Sequence, residues 1–459
     1  MIRLISFFFL IMSVLVYSQQ PSSDFSGLNY DWTYVGNPGF TEGISHYISL
    51  AVGPDGQPCI AYQDSENSEK VNVMKFNGNT WAYLGNPGFS PVGASYESLA
   101  FSPAGQPYVA FHDYTNSGKA MVMKFDGTNW VTVGNAGFSL GTADYTSIAF
   151  SPDGQPYVAF ADGSYGVTHP TVMKFDGTTW MNVGSPRFSD GWSAWLSLAF
   201  SPSGEPWLAF QHIGNYSATV MKFDGTDWVG VGEPDFSHSE AYYTSLAFSP
   251  FGEPYVAYGD GSNGKATVKK FDGTNWVSVG NPKFSAGEAV NTSLVIDSSG
   301  HPYVAYEDSG SSGKATVMKF DGTSWINIGS PGFSGGSVQL TQLAFSRTGS
   351  LYLAFQDIDH SSKVTVMKYD SVFFGINEKR YFPFSLYPNP ASSSLTISLS
   401  NFVGNISHIE VFNAMGIKMS DIYDVTESNV LDVSDYPAGI YFVKIKVTDL
   451  VYTGKFCKK

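Results

Sequence analysis

The sequence predicts an all-β chain, a seven-bladed β-propeller closed by its own N-terminal strand and followed by a small β-sandwich. The first observation behind this is a hairpin, KATVMKFDGTSW at residues 314–325, with near copies along the chain. The copies end in Trp81, Trp130, Trp180, Trp228, Trp276 and Trp325, and an orphan second half, DWTYVG, surrounds Trp32. The second observation is the period: these seven tryptophans stand 48 to 50 residues apart, and a fixed spacing of that size, filled with short strand-like runs and turns, marks a repeat architecture. The third is composition. Aromatics make up 16% of the chain and Gly contributes 48 residues, while Leu, Glu and Lys are too sparse for long amphipathic helices.

The chain opens with MIRLISFFFLIMSVLVYSQQ, which has one basic side chain, an apolar run from Leu4 to Tyr17 and a small residue at Ser18. This reads as a secretory signal peptide over residues 1–18, because the run is too short to span a bilayer. Residues 19–30 follow as an N-terminal segment. No later stretch is apolar enough for a membrane-spanning segment.

Residues 31–370 hold the repeats. In the third full copy the four strand-like runs are TSIAFS (146–151), PYVAF (156–160), TVMKFD (171–176) and WMNVG (180–184), named here A to D. The A–B link carries a Gly in all seven copies, from Gly56 to Gly349, where a short hairpin turn demands positive φ. The C–D link is an Asp-Gly turn, a strong hairpin signal. Runs such as SLAF and YVAF are apolar on both faces, so each small sheet must be covered on both sides, and sheets stacked around an axis do that. Strands A, B and C each number seven. Strand D numbers seven only if the orphan at Trp32 is included, since no Trp follows Asp370. The first strand is therefore expected to complete the last blade, which also removes an exposed sheet edge.

The hairpin resembles the Kelch-type repeat, in which an aromatic-Asp turn precedes a Trp opening the outer strand. It departs from Kelch in lacking the double glycine of the second strand, so only the propeller architecture is carried over. The repeat unit is also similar to those of secreted bacterial propeller proteins, which adds no chemistry.

Residues 371–383 break the period and read as a linker. Residues 384–459 then hold Tyr387-Pro388-Asn389-Pro390, a strand-turn around Asn413 to Gly416, Tyr436-Pro437-Ala438-Gly439-Ile440-Tyr441 and a terminal GKFCKK. In combination these motifs resemble the C-terminal sorting domain of cargo of the type IX secretion system of Gram-negative bacteria. The resemblance implies a small β-sandwich whose partner is the outer-membrane export machinery. It further implies a passenger delivered to the cell surface or the medium, and cleavage of the sorting domain during export.

Charge excludes several functions. The formal net charge is −15 and Arg occurs only at positions 3, 187, 347 and 380. Nucleic acid is not an expected partner without clustered basic residues, and a sialidase-like arginine cluster is absent. Cys59 and Cys457 lie in different predicted domains, so no disulfide framework follows. The eight histidines lack the close spacing to Cys or carboxylate that a zinc site requires, and no phosphate loop or Ser-His-Asp order is present. Neither a metal, a cofactor nor a catalytic residue is expected.

The D–A and B–C loops of a propeller emerge on one face, and candidate ligand-binding residues are sought there. Two positions before the Ser of strand A lie Tyr47, Tyr96, Tyr145, Trp195 and Tyr243, then Asn291 and Leu340; just after strand B lie Asp64, Asp113, Asp162, His212, Asp260, Asp308 and Asp357. An aromatic and a carboxylate are expected to meet in four blades, as Tyr47/Asp64, Tyr96/Asp113, Tyr145/Asp162 and Tyr243/Asp260. A ring with an adjacent acceptor holds a sugar by stacking on its C–H groups and accepting its hydroxyl hydrogen bonds. The competing local reading is that each Asp caps its B–C turn, or pairs with a lysine such as Lys70, Lys119, Lys265, Lys314 or Lys363. Trp192 and Trp195 make the fourth copy the most aromatic and the preferred blade for a ligand. Phe40, Phe89, Phe138, Phe188, Phe236, Phe284 and Phe333 recur in the D–A loops as expected anchors. Glu42, Glu97, Asp144, Asp190, Glu240 and Glu288 are assigned to the same loops. The expected function is binding or adhesion to a glycan or protein surface. The alternatives are a polysaccharide-active hydrolase or lyase on the same face, and a structural surface protein.

Overall fold

A computed structural model describes residues 29–372, 384–399, 406–414, 416–423, 425–447 and 450–459. The expected signal peptide and most of the expected linker lie outside the described residues. The chain divides into two compact units, one of them Asn29–Val372.

That unit consists of seven four-stranded antiparallel sheets. The third is built from Ala143–Phe150, Pro156–Asp162, His169–Phe175 and Trp180–Asn182, in sequence order. Six sheets follow this plan. The last combines Val338–Phe345, Leu351–Asp357 and Lys363–Val372 with the N-terminal strand Asn29–Tyr34, Trp32 standing opposite Tyr369. Its outer strands reach two residues beyond the expected limits of 31 and 370. The A strands of successive sheets pack on one another, the last against the first.

Strand B explains why the sheets stack. Pro156–Asp162 is buried at every position, as are Pro58–Asp64, Pro254–Asp260 and Leu351–Asp357. A strand with no exposed face must be covered on both sides.

Three repeated devices fasten the sheets. Each Trp of strand D stacks on a Phe of the loop leading into its own sheet, from Phe284–Trp325 at 4.1 Å between ring centroids to Phe333–Trp32 at 4.6 Å. The indole N–H of the same Trp donates to a carbonyl of the preceding sheet, as in Trp180 Nε1 to Val133 O at 2.8 Å and Trp32 Nε1 to Ile328 O at 2.7 Å. The Phe anchors expected between blades are thus stacking partners for the repeat tryptophans. Thirdly, Ser49, Ser98, Ser147, Ser197, Ser245 and Ser293 each accept the backbone N–H of the next A strand at 2.9–3.0 Å. Gln342 stands in place of the seventh serine.

The A–B turns hold their Gly at φ of 78° to 90°, the conformation that only Gly adopts without steric cost. In the Asp-Gly turns the Asp caps the bend, as where Asp126 Oδ1 accepts the N–H groups of Thr128 and Asn129. In every sheet a backbone hydrogen bond joins the D–A loop to the B–C turn, as from Tyr114 N to Gly93 O and from Ser309 N to Glu288 O. The two loop sets therefore share one face.

The C-terminal unit contains a three-stranded sheet, Ser385–Tyr387, Ser394–Ser398 and Ser428–Asp432, and a four-stranded sheet of Lys418–Ile422, Ile406–Asn413, Gly439–Val447 and Leu450–Lys458. Leu395, Ile397 and Leu431 of the first form one core with Ile409, Val411, Val443 and Phe456 of the second. The Tyr387–Pro390 motif is pinned to the last strand. Asn389 Oδ1 accepts the N–H of Cys457 at 2.9 Å and Ala391 N donates to Cys457 O at 2.8 Å. Gly416 closes the turn at φ 76°, and the Tyr441 hydroxyl donates to Pro437 O at 2.7 Å. The expected sorting-motif residues thus hold turns together. No helix among the described residues is long and apolar enough to cross a membrane.

Candidate functional site

The seven positions two residues before the A-strand serine share a backbone feature. Tyr47, Tyr96, Tyr145, Trp195, Tyr243, Asn291 and Leu340 all have positive φ, between 49° and 57°. The cause lies in the strand pairing. His46 stands opposite Gln63 and Ser49 opposite Ala61, so strand A carries one extra residue, a β-bulge repeated in every sheet. A bulge re-aims a side chain, and its left-handed position ordinarily falls to Gly. A bulky residue held there costs roughly 1–3 kcal/mol, a cost the surrounding packing offsets at six of the seven positions, the seventh being Asn291.

The bulges gather these side chains around one cavity of about 200 Å³ lined by strand A of all seven sheets. Five aromatics form an unbroken arc. Ring centroids are 4.8 Å apart for Tyr47–Tyr96, 4.9 Å for Tyr96–Tyr145, 6.1 Å for Tyr145–Trp195 and 5.0 Å for Trp195–Tyr243. Asn291 and Leu340 complete the circuit. Burial, aided by nearby acidic groups, raises the phenol pKa of Tyr47, Tyr96, Tyr145 and Tyr243, so the hydroxyls remain protonated and able to donate.

The next residue along each strand is Thr in four sheets and departs from it in three. Thr146, Thr244, Thr292 and Thr341 donate their hydroxyls to the carbonyls of Tyr96, Trp195, Tyr243 and Asn291 in the preceding sheet. Ile48 and Leu196 are apolar, and Glu97 is the one acid at this position. Glu97 is 6% exposed and lines the cavity. Neither carboxyl oxygen has a hydrogen-bond partner among the described residues. Burial holds this carboxyl well above the ordinary carboxylate range. The sequence reading placed Glu97 in a D–A loop; the structure places it inside the strand Ala94–Phe101. The available signal was its register, an acid where four copies carry Thr.

Further titratable groups stand near the arc. His112 Nδ1 lies 2.9 Å from Asp144 Oδ1, and the His112 ring is 6.1 Å from that of Tyr96. Glu307 has its pKa raised to about 7 by burial and by the charge of Glu288. The same two carboxylates act on Tyr243.

The expected aspartates lie elsewhere. None lines the cavity, and all six are buried. Asp64 Oδ1 accepts the N–H of Glu66 at 3.0 Å, Asp113 Oδ1 that of Thr115 at 3.0 Å, Asp162 Oδ1 that of Ser164 at 2.9 Å and Asp308 Oδ1 that of Gly310 at 3.0 Å. Asp260 and Asp357 accept the hydroxyls of Thr267 and Thr365 at 2.9 and 2.8 Å. The first four bonds cap the B–C turn, those of Asp260 and Asp357 tie the end of strand B to strand C, and a buried donor left without its acceptor is destabilising. Asp113→Ala should therefore cost about 1–3 kcal/mol and leave ligand affinity unchanged, measured by denaturant unfolding and by binding at a temperature where the variant is folded.

The fourth sheet also divides. Trp195 joins the arc, whereas Trp192 is half exposed and outside it. His212, 3.2 Å from Asp190 Oδ1, borders a separate cavity of about 380 Å³ with Phe188 and Asp235. Among the described residues the titratable cluster His408, Glu410 and Asp421 already surrounds an ammonium, Lys418 Nζ, at 3.0 and 2.8 Å from the two acids.

No curated relative matches the sequence. Among solved structures, an ulvan lyase of polysaccharide lyase family PL25 is similar at 10% identity and TM-score 0.51, covering 72% of this chain and 94% of its own. A protein of unknown function from Dyadobacter fermentans aligns at 11% identity and TM-score 0.45, covering 76% and 100%. The Aleuria aurantia lectin aligns at 16% and 0.43, covering 65% and 100%. At 10% identity the likeness to the lyase is one of fold alone. Residues 385–459 match a family profile. This segment, with its two sheets and its pinned Tyr387–Pro390 turn, belongs to the secretion system C-terminal sorting domain family.

Proposed function

We propose that the chain is a surface-delivered, seven-bladed propeller that binds carbohydrate at the cavity ringed by Tyr47, Tyr96, Tyr145, Trp195 and Tyr243. The sorting domain implies export to the cell surface or beyond through the type IX machinery. The observation that carries the binding reading is the arc itself. Five adjacent rings, held in a left-handed conformation that bulky residues avoid, offer flat apolar faces and phenol donors, the groups that hold a pyranose. One central site replaces the repeated Tyr/Asp pairs expected from the sequence.

A glycan array probed with the full chain, followed by Trp195→Ala and Tyr96→Ala, tests this. Binding should fall at least about tenfold in each variant, roughly 1.4 kcal/mol. Absence of any glycan binding, or binding indifferent to both substitutions, refutes the reading.

One observation favours a second reading, a polysaccharide-active enzyme. Glu307, with a pKa of about 7 beside Glu288, has the perturbation expected of a general acid. Release of new reducing ends or unsaturated sugars by the wild type, abolished in Glu307→Gln, would establish it.

A further inference from the structure

We infer that the axial cavity selects a glycan bearing a free, protonated amine, with Glu97 as the counter-ion. The inference rests on the carbohydrate reading above and names the substrate class for that site.

Three observations converge. Glu97 is the only acid at its sevenfold position, it lines the cavity, and both of its oxygens are buried without a partner. A buried polar group left unpaired is costly, and here the equivalent threonines show what a paired residue would do: Thr146 donates to the Tyr96 carbonyl, whereas neither Glu97 oxygen has a partner. Secondly, the cavity lining contains no Lys or Arg, so no side chain of the site offers Glu97 a cation. Thirdly, the surroundings are acidic. Burial is the main cause of the raised phenol pKa values of Tyr47 and Tyr243, and the charges of Glu97 and Asp144 add to the first, those of Glu288 and Glu307 to the second.

Aromatic faces attract ammonium groups, most strongly where water is excluded, and a buried carboxylate supplies the charge-assisted hydrogen bond. The same acidic surroundings repel uronates and sulfate esters. The cavity of about 200 Å³ suits a single sugar ring. These properties together favour an amino sugar with an unacetylated nitrogen over neutral or polyanionic glycans.

The test is calorimetric titration of the full chain with glucosamine oligomers and N-acetylglucosamine oligomers of equal length at neutral pH, where an ammonium can displace the proton that burial favours on Glu97. The two ligands share a backbone and differ at the nitrogen. The wild type should prefer the glucosamine oligomer by about tenfold or more, roughly 1.4 kcal/mol. That preference should vanish in Glu97→Gln and in Glu97→Thr, the latter restoring the residue found in four other copies. Equal binding of both oligomers, a preference for the acetylated one, or a preference surviving both substitutions overturns the amine assignment and leaves the carbohydrate reading standing. Binding of neither oligomer overturns it too, and if the glycan array is also blank the carbohydrate reading falls with it. A lysine-rich peptide that binds where no amino sugar does assigns the site to protein instead.

Discussion

Trp32→Ala should destabilise the repeat unit by about 3–5 kcal/mol, the loss typical of truncating a buried aromatic. Trp32 is 7% exposed, stacks on Phe333 at 4.6 Å and 4° between planes, and donates its indole N–H to Ile328 O, 296 residues away. The same contacts are made in the middle of the chain by Trp276 with Phe236 and Val231. The two substitutions remove the same groups but differ in connectivity. Trp276 sits in a sheet whose strands are consecutive, whereas Trp32 belongs to a strand whose partner, Lys363–Val372, comes from the far end of the unit. Loss of the Trp32 contacts therefore also releases the segment Asn29–Tyr34, with its edge and that of its neighbour exposed. Thermal unfolding with limited proteolysis should show Trp32→Ala melting lower than wild type and cleaved first near residue 29, and Trp276→Ala melting lower without early N-terminal cleavage. An N-terminal strand that stays protected in Trp32→Ala contradicts this account of how the last sheet is completed.

Glu97→Thr should stabilise the protein by about 1–3 kcal/mol at neutral pH, the cost of a buried group left without a partner. The substituted hydroxyl would stand where Thr146 stands one sheet further on, facing the carbonyl of the preceding strand. Because burial raises the Glu97 pKa in the folded state above its ordinary value of 4.5, the native protein binds this proton more tightly than the unfolded chain does. The contribution to stability is then fully present below about pH 4.5, declines as pH rises through the interval up to the folded-state pKa, and is constant beyond it. Tyr47, whose phenol feels the Glu97 charge, is held protonated over this range. The gain from Glu97→Thr should accordingly shrink as the pH is lowered toward 4.5, measured by urea unfolding at several pH values. A variant no more stable than wild type at neutral pH would mean that Glu97 is paired. If the gain in stability is accompanied by loss of amine selectivity, Glu97 is kept for the ligand at the expense of the fold, a common bargain at binding sites.

The axial site was partly legible in the sequence. The register two residues before the A-strand serine picked out Tyr47, Tyr96, Tyr145, Trp195 and Tyr243, and these are the rings of the arc. The pairing of each with an aspartate was not, because proximity along a repeat says nothing of direction. Asp113 ends its strand with its side chain turned to the N–H of Thr115, while the bulge swings Tyr96 toward the cavity. Trp192, three residues before Trp195, was grouped with it as a ligand residue, yet only Trp195 occupies the bulge.

By itself the sequence determined the all-β class, the sevenfold period, the Asp-Gly and A–B turns and the sorting domain, because each rests on local rules: strand patterning, positive φ at Gly, and motifs read over a few residues. Only the tertiary structure decided that the seven bulged positions converge on one cavity, and that Glu97 is buried in it without a partner. Both depend on strands 48 to 50 residues apart meeting side by side, and a one-residue bulge, which leaves the strand's composition unchanged, determines which side chain faces the centre.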